Sequence, residues 1–139
     1  MGHPQPQSAG ALASAVREGR RTAVAATEEC LNRIESANGS LNVFREVYAE
    51  RSLAAAHRID GLVSKGFDPG ALAGVPVALK DNIVTDWGST TCGSRSLEHY
   101  RSPFTATAAR KLIDAGAIIV GKTNCDEFAM GSSSESCAW

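Results

Sequence analysis

The sequence has few of the residues that build metal sites and disulfide frameworks. It contains only three histidines and four cysteines among 139 residues. The cysteines are Cys30, Cys92, Cys125 and Cys137. None of them forms a C-x-x-C pair, and their spacing fits no zinc-binding pattern. We therefore expect no metal site, and scattered cysteines without a secretory signal predict free thiols in a reducing cytoplasm.

Long apolar runs and blocks of like charge are also missing. No run approaches the roughly 20 apolar residues that span a bilayer, so no membrane partner is expected. The net charge of −1, with no basic block, gives no electrostatic case for direct nucleic-acid binding, although a partner could hold a nucleic acid. Residues 1–7 lack the basic start and apolar stretch of a secretory signal, and they predict a short disordered lead-in.

Helical periodicity dominates the first half of the chain. Apolar residues that recur every three to four positions predict three helices, with one short strand before the third. The predicted helices cover 8–18, 22–37 and 49–65, and the strand covers 41–48. Ser8 is placed as an N-cap, and Asn38-Gly39 is predicted to end the second helix.

Strand and helix alternate in the second half. The apolar run 74–79 predicts a buried strand that ends on Lys80, and Ala117–Val120 predicts another. Between them, residues 105–115 carry a helical stripe of Ala108, Ala109, Leu112 and Ile113. A helix between two strands predicts an α/β layer with a parallel crossover. The segment 82–95 is rich in glycine and small hydroxyl residues, which allow the backbone to approach a ligand closely, but an ordinary surface loop is the favoured interpretation.

Lys80 allows two interpretations from the strand alone. In the first it is a structural lysine that reaches water or pairs with Asp81, since structural lysines greatly outnumber catalytic ones. In the second, desolvation lowers its pKa enough for it to act as a general base. The structural interpretation is favoured at this point.

One apparent motif is rejected on physical grounds. Residues 116–123 satisfy the phosphate-loop pattern G-x-x-x-x-G-K-[ST] letter for letter. However, the four middle residues, Ala-Ile-Ile-Val, belong in a strand, whereas a phosphate cradle needs a curled loop with inward N–H groups. Gly116 ends the preceding helix, so we do not expect nucleotide binding here.

Serine and lysine are the remaining candidates for nucleophilic chemistry. None of His3, His57 and His99 lies in a motif typical of a catalytic triad. Serine with lysine as its base is a known alternative. On the residues alone, Ser132, Ser133 and Ser134 are the candidate nucleophiles.

Several stretches together resemble the amidase signature family. They are residues 74–82, Thr90-Thr91-Cys92-Gly93-Ser94, Ala106-Thr107, residues 112–116 and residues 121–133. The last run, with Asp126-Glu127-Phe128-Ala129-Met130-Gly131, closely resembles the A subunits of tRNA-dependent amidotransferases within this family. The resemblance implies an α/β fold with a mixed central sheet flanked by helices, here its N-terminal portion with a helical lead-in.

The resemblance also implies a chemistry and its residues. The family uses a Ser–cis-Ser–Lys triad, and Lys80 matches the lysine, which acts as base and then acid. Met130 matches a residue that lines the amide pocket. Ser132 to Ser134 match neither triad serine, so they are withdrawn as nucleophiles. Both triad serines are expected beyond Trp139, so residues 8–139 are interpreted as the N-terminal part of one amidase domain, inactive alone.

In the A-subunit group, the implied reaction is glutamine hydrolysis that supplies ammonia for converting Glu-tRNA(Gln) to Gln-tRNA(Gln). The implied partners are the B and C subunits, glutamine, and a charged tRNA held by a partner subunit. No cofactor is expected in this chain, because ATP and Mg²⁺ are used by the partner subunit. The alternatives are part of a stand-alone amidase for small amides, or a non-catalytic chain that only binds a partner.

Overall fold

The computed structural model describes residues 8–139, which form a small mixed sheet with helices on both faces. In chain order the elements are α1 (Ala9–Arg17), α2 (Ala23–Leu41), β1 (Phe44–Val47), α3 (Ala49–Ser64), β2 (Pro76–Lys80), α4 (Thr107–Asp114) and β3 (Ile118–Thr123). Two short 3₁₀ turns cover Arg95–Leu97 and Glu127–Ala129. The predicted lead-in, 1–7, lies outside the described residues. Within the described part, no helix has both the length and the apolar character needed to cross a membrane.

The predicted starts of the first three helices are confirmed to within one residue, α4 begins two residues later than predicted, and one predicted helix end is wrong. The Ser8 hydroxyl caps α1 by accepting the Ala11 N–H at 3.2 Å, as predicted. Helix α2 does not stop at Asn38-Gly39 but continues to Leu41, ending at Asn42 in the left-handed region with φ 49°. The Asn38 side chain bonds both the N–H and the carbonyl of Phe44, so it joins the helix to β1 instead of ending it.

The sheet order is β1-β3-β2. β2 and β3 are parallel, which confirms the predicted crossover through α4, and β1 is antiparallel to β3. Helix α4 ends in a Schellman motif: Gly116, at φ 91°, donates to the Ile113 carbonyl, and Ala117 donates to the Leu112 carbonyl. The predicted apolar stripe of α4 is wrong at one position, since Ala108 is exposed while Ala109 is buried.

Two apolar clusters lie on opposite faces of β3. Helices α1, α2 and α3 pack against Ile118 and Val120, whereas α4 packs against Ile119 and Leu79. Alternate residues of a strand point to opposite faces, so the apolar run of β3 supplies both clusters. The strand is longer than the predicted 117–120 and includes Gly121, Lys122 and Thr123. These residues pair with both neighbouring strands, and the structure therefore agrees that they form no phosphate cradle.

Candidate functional site

The candidate site lies at the edge where the parallel strands β2 and β3 end. Lys80, the last residue of β2, is the register partner of Thr123, the last residue of β3. The segments that follow the two strands also meet here. The Phe128 N–H donates to the Cys92 carbonyl at 2.7 Å, and the Ala138 N–H donates to the Gly93 carbonyl. Carboxyl ends of parallel strands are a common place for ligand sites in α/β proteins.

The Lys80 side chain is exposed at this edge. It makes no hydrogen bond or ion pair with any other residue between 8 and 139. Burial raises the pKa of the neighbouring Cys125 thiol, and the Lys80 ammonium only partly opposes that shift. The Lys80 side chain is thus not buried by residues 8–139, and its role as a base stays a prediction.

Met130 directly follows the 3₁₀ turn Glu127–Ala129. Its side chain is 78% exposed, so it is not part of a closed pocket within the described residues. Phe128 and Ala129 have φ values of 52° and 59°, which are uncommon for residues other than glycine. The assignment of Met130 to an amide pocket stays a prediction.

Asp126 organises the loop that follows Met130. Its Oδ2 accepts the Ser134 N–H at 2.9 Å, and its Oδ1 accepts the Ser136 N–H and hydroxyl. These donors favour the charged carboxylate and hold the pKa of Asp126 below its ordinary value. Residues 132–134, which the residue pattern alone suggested as nucleophiles and the resemblance withdrew, lie exposed on this loop.

A different lysine, Lys122, is buried next to the site. It is 0% exposed, and its Nζ donates to the Ile83 carbonyl at 2.6 Å and the Thr90 hydroxyl at 3.0 Å. The Ser89 carbonyl accepts a longer bond at 3.3 Å. Desolvation lowers the pKa of Lys122, and the nearby Asp81 carboxylate partly opposes that shift. Lys122 thus binds the loop after β2 to the end of β3.

Asp81, directly after Lys80, is the anionic centre of the same interior. It is 0% exposed, and its Oδ2 accepts both the N–H and the hydroxyl of Thr91. Two cations lie farther away: Arg45 Nε is 3.6 Å from Oδ2, and Lys122 Nζ is 4.0 Å from Oδ1. Since the Asp81 N–H also donates to the Thr123 carbonyl, the backbone next to Lys80 is fixed on both sides.

Strand β1 contributes a second acid and a second cation. Glu46 Oε2 accepts the N–H and hydroxyl of Ser89 at 2.9 and 2.8 Å, while Arg45 Nη1 donates to the same hydroxyl. Burial raises the pKa of Glu46, but the two Ser89 donors, the Tyr48 hydroxyl and the Arg45 charge together hold that pKa below its ordinary value. The Arg45 guanidinium also stacks on Trp139, 4.4 Å from the ring centre.

These contacts contradict the interpretation of 82–95 as an ordinary surface loop. Five of its hydroxyl residues are buried: Thr85, Ser89, Thr90, Thr91 and Ser94. The loop chemistry indicated exposure, but the five hydroxyls are satisfied internally by Asp81, Glu46, Lys122, Glu127 and the Trp87 carbonyl. The loop is therefore packed into the interior next to the edge where β2 and β3 end.

Sequence reasoning missed Lys122 as a buried residue because its burial depends on two irregularities in the sheet. A register shift between Val77 and Ala78 places Lys122 opposite Leu79, and another between Phe44 and Glu46 lets Arg45 and Glu46 both reach Ser89. β-Bulges re-aim side chains in this way. The available signal was a lysine directly after an apolar strand, inside the rejected phosphate-loop pattern.

The described residues contain no group of three His, Cys, Asp or Glu side chains arranged to hold a metal ion. All four cysteines are free, as predicted; Cys125 is buried and the other three are partly buried. The arrangement offers an exposed amine on a rigid strand end, backed by a buried polar network. An amine in that position is able to exchange protons with a group brought to the strand edge.

This chain is similar to known proteins in both sequence and fold. A family model described as Amidase matches residues 25–138. The chain is 47% identical over 132 residues to a Gloeobacter violaceus protein named as the A subunit of glutamyl-tRNA(Gln) amidotransferase, covering 95% of this chain and 27% of the relative. A protein of the same name from Nostoc punctiforme is 50% identical over 119 residues, or 86% of this chain and 24% of the relative.

The solved structures include the native peptide amidase of Stenotrophomonas maltophilia. It superposes with a TM-score of 0.82 at 31% sequence identity, covering 89% of this chain and 26% of the amidase. This chain spans about a quarter of the length of the curated relatives it matches. The helices and mixed sheet described above therefore correspond to one part of a larger fold in those proteins.

Proposed function

The chain belongs to the amidase family, and from this we propose that it forms part of a glutamine-hydrolysing subunit of a tRNA-dependent amidotransferase. The observation that carries the proposal is the high identity to relatives named as A subunits of such an enzyme, over nearly all of this chain. The proposed reaction releases ammonia from glutamine and uses it to convert Glu-tRNA(Gln) to Gln-tRNA(Gln). It is proposed for a protein that contains this chain.

In the proposed mechanism, Lys80 is the base of a Ser–cis-Ser–Lys triad. Its amine takes a proton from the nucleophilic serine through the bridging serine and later returns a proton to the leaving ammonia. Neither serine is assigned to a residue of this chain. The exposed position of Lys80 at the strand edge supports the role, because a segment carrying the serines has access to the amine there. Met130 is proposed to line the amide pocket.

The proposed partners are the B and C subunits of the heterotrimer. A partner subunit holds the charged tRNA and uses ATP and Mg²⁺, so this chain itself needs no cofactor. The names of the relatives describe one subunit of an enzyme, which supports an assembly of several polypeptides. We place the protein in the cytoplasm, where aminoacyl-tRNA is made.

The test is Lys80→Ala in the full-length protein, assembled with its partners. Because the substitution removes the proposed general base, glutaminase kcat should fall about 10²- to 10⁴-fold. Lys111→Ala, at an exposed lysine of α4, is the matched control and should keep activity within two-fold. Activity of the Lys80 variant within a few-fold of wild type would remove Lys80 from the mechanism. The 139-residue chain alone should hydrolyse no glutamine, and real turnover would contradict the proposed need for further residues.

A second candidate function is hydrolysis of small amides by a stand-alone amidase. The superposition on a peptide amidase is the observation that favours it. Purification of the tagged full-length protein from its native cells separates the two. Stoichiometric recovery of two partner subunits supports the amidotransferase, and a single active polypeptide that cleaves amides unrelated to glutamine supports the stand-alone enzyme.

A further inference from the structure

A cavity of about 420 Å³ lies between α3, α4 and the sheet. Its lining residues are Arg51, Ala54, Ala55, Arg58, Trp87, Arg110, Ile113, Ala117 and Ile119. The first four are spaced i, i+3, i+4 and i+7 along α3, which places them on one helical face. Small alanines between two arginines and a tryptophan leave a concave surface with an apolar floor.

The rim of this cavity is positively charged although the whole chain carries a net charge of −1. Its three arginines come from two different helices, and no acidic side chain lines the cavity. Asp86 lies beside it, with its Oδ2 3.7 Å from Arg110 Nη2, in a pair whose side chains are about half exposed. Such an exposed pair is weak and is readily exchanged for another anion. The Arg58 side chain makes no ion pair or hydrogen bond among residues 8–139.

Trp87 supplies the aromatic wall and an unused donor. The Arg51 guanidinium stacks on its ring, 3.9 Å from the ring centre. The indole Nε1 of Trp87 is buried and has no hydrogen-bond partner within the described part of the chain. A buried donor without a partner is uncommon in a native protein and calls for an acceptor.

We propose that this cavity binds a small phosphate monoester, with the phosphate on the arginines and an apolar or aromatic body on the alanine floor. Three guanidinium charges, less the single Asp86 carboxylate, leave two positive charges, which match the phosphate dianion. Arginine forks bind carboxylate and phosphate oxygens alike in pairs, but a phosphate monoester carries a second negative charge and a third terminal oxygen, so it can engage more than one fork and is favoured over a singly charged carboxylate. None of the cavity residues takes part in the hydrogen bonds around Asp81, and the proposal does not depend on the amidase chemistry.

The test is calorimetric titration of the 139-residue chain at pH 7.5 with phenyl phosphate, benzoate and inorganic phosphate. We expect one saturable site for phenyl phosphate, at least several-fold tighter than inorganic phosphate and about 10-fold tighter than benzoate. Trp139→Phe leaves Trp87 as the only tryptophan, and its emission should change along the same binding curve. Circular dichroism confirms that each variant is folded.

Arg58→Gln and Arg110→Gln should each weaken phenyl phosphate binding about 10-fold, since each removes a charge-assisted contact. Arg33→Gln is the matched control, because it loses the same charge from an exposed helix position that pairs with Glu29 outside the cavity. Equal weakening by all three variants would mean diffuse electrostatic attraction and would overturn the proposal. So would the absence of saturation, equal affinity for the three probes, or binding that leaves Trp87 emission unchanged.

Discussion

Two lysines occupy neighbouring strands at the same edge of the sheet and meet opposite environments. Lys80 ends β2, and its exposed side chain has no hydrogen-bond or ion-pair partner among the described residues. Lys122 lies one register pair earlier on β3, is 0% exposed, and donates three hydrogen bonds. The register pairs Lys122 with Leu79 and Lys80 with Thr123, so the two side chains point to opposite faces of the sheet.

The different environments of the two lysines indicate different roles: a structural role for Lys122 and a chemical role for Lys80. Lys122 donates its hydrogen bonds to the loop 82–95 and has no donor left for a substrate. Lys80 keeps its donors free, while the neighbouring Asp81 backbone and side chain fix the strand end beneath it. A shifted pKa alone would have singled out Lys122, although its burial and saturated contacts indicate a structural role.

The sharpest test of this contrast is a matched pair of substitutions, Lys122→Met and Lys80→Met. Methionine keeps most of the side-chain volume but removes the charge and the donors. Lys122→Met leaves the Asp81 carboxylate and three acceptors with less compensation, so we expect a loss of about 3 kcal/mol in the free energy of unfolding. Lys80→Met, at an exposed site, should change it by less than about 0.5 kcal/mol.

Urea denaturation followed by circular dichroism measures both changes. Adding Asp81→Asn to Lys122→Met tests the cause, because the double variant should lose less than the sum of the two single losses. Strict additivity would show that the two residues do not act together. If the two methionine variants lost equal free energy of unfolding, Lys122 would not be more important for stability than Lys80.

Some of the structure around the two lysines was predictable from sequence, and some was not. The strand that ends on Lys80, the parallel crossover through α4 and the stop at Gly116 follow from local pattern, since apolar periodicity and a left-handed glycine act over a few residues. The family and the candidate residues Lys80 and Met130 also came from sequence, through resemblance.

The buried interior around Asp81 was not predictable from local pattern. Simple alternation places Lys122 on the same face as Ile118 and Val120, among the apolar residues that pack on α1 to α3. The register shift in β3 moves it to the other face. That shift, and the burial of the hydroxyl-rich loop, depend on contacts between residues 32 to 43 positions apart in sequence. Composition indicated exposure because it carries no information about such partners.

A smaller effect is expected from Gly121, which lies on β3 opposite Val47 of β1. A Cβ at this position would clash with the Glu46 carbonyl oxygen and would lie 2.9 Å from the Phe44 ring. Gly121→Ala should therefore separate the strands that bring Glu46 and Lys122 together, at a cost of about 1–3 kcal/mol. Gly39→Ala is the control, because it meets no atom within 4 Å in helix α2 and should stabilise by up to about 1 kcal/mol. Thermal unfolding that moves both variants in the same direction would contradict the close packing.

The smallest effect concerns pH and the Glu46 carboxylate beside Lys122. Its folded pKa lies below 4.5, its ordinary value, despite the opposing effect of burial. The unfolded state thus binds the proton more readily, so the stabilisation is present above pH 4.5 and is lost as pH falls through the folded pKa. Glu46→Gln should therefore reduce the loss of urea resistance between about pH 6 and about pH 3.5.

Ser89→Ala gives a graded check on the cause. It removes the hydroxyl donor but keeps the Ser89 N–H, so the acid sensitivity should fall between those of wild type and Glu46→Gln. The pKa values of Glu18, Glu29 and Asp126 are also lowered, so part of the acid sensitivity remains in both variants. If Glu46→Gln follows the wild-type curve throughout, Ser89 does not hold this carboxylate in its charged form.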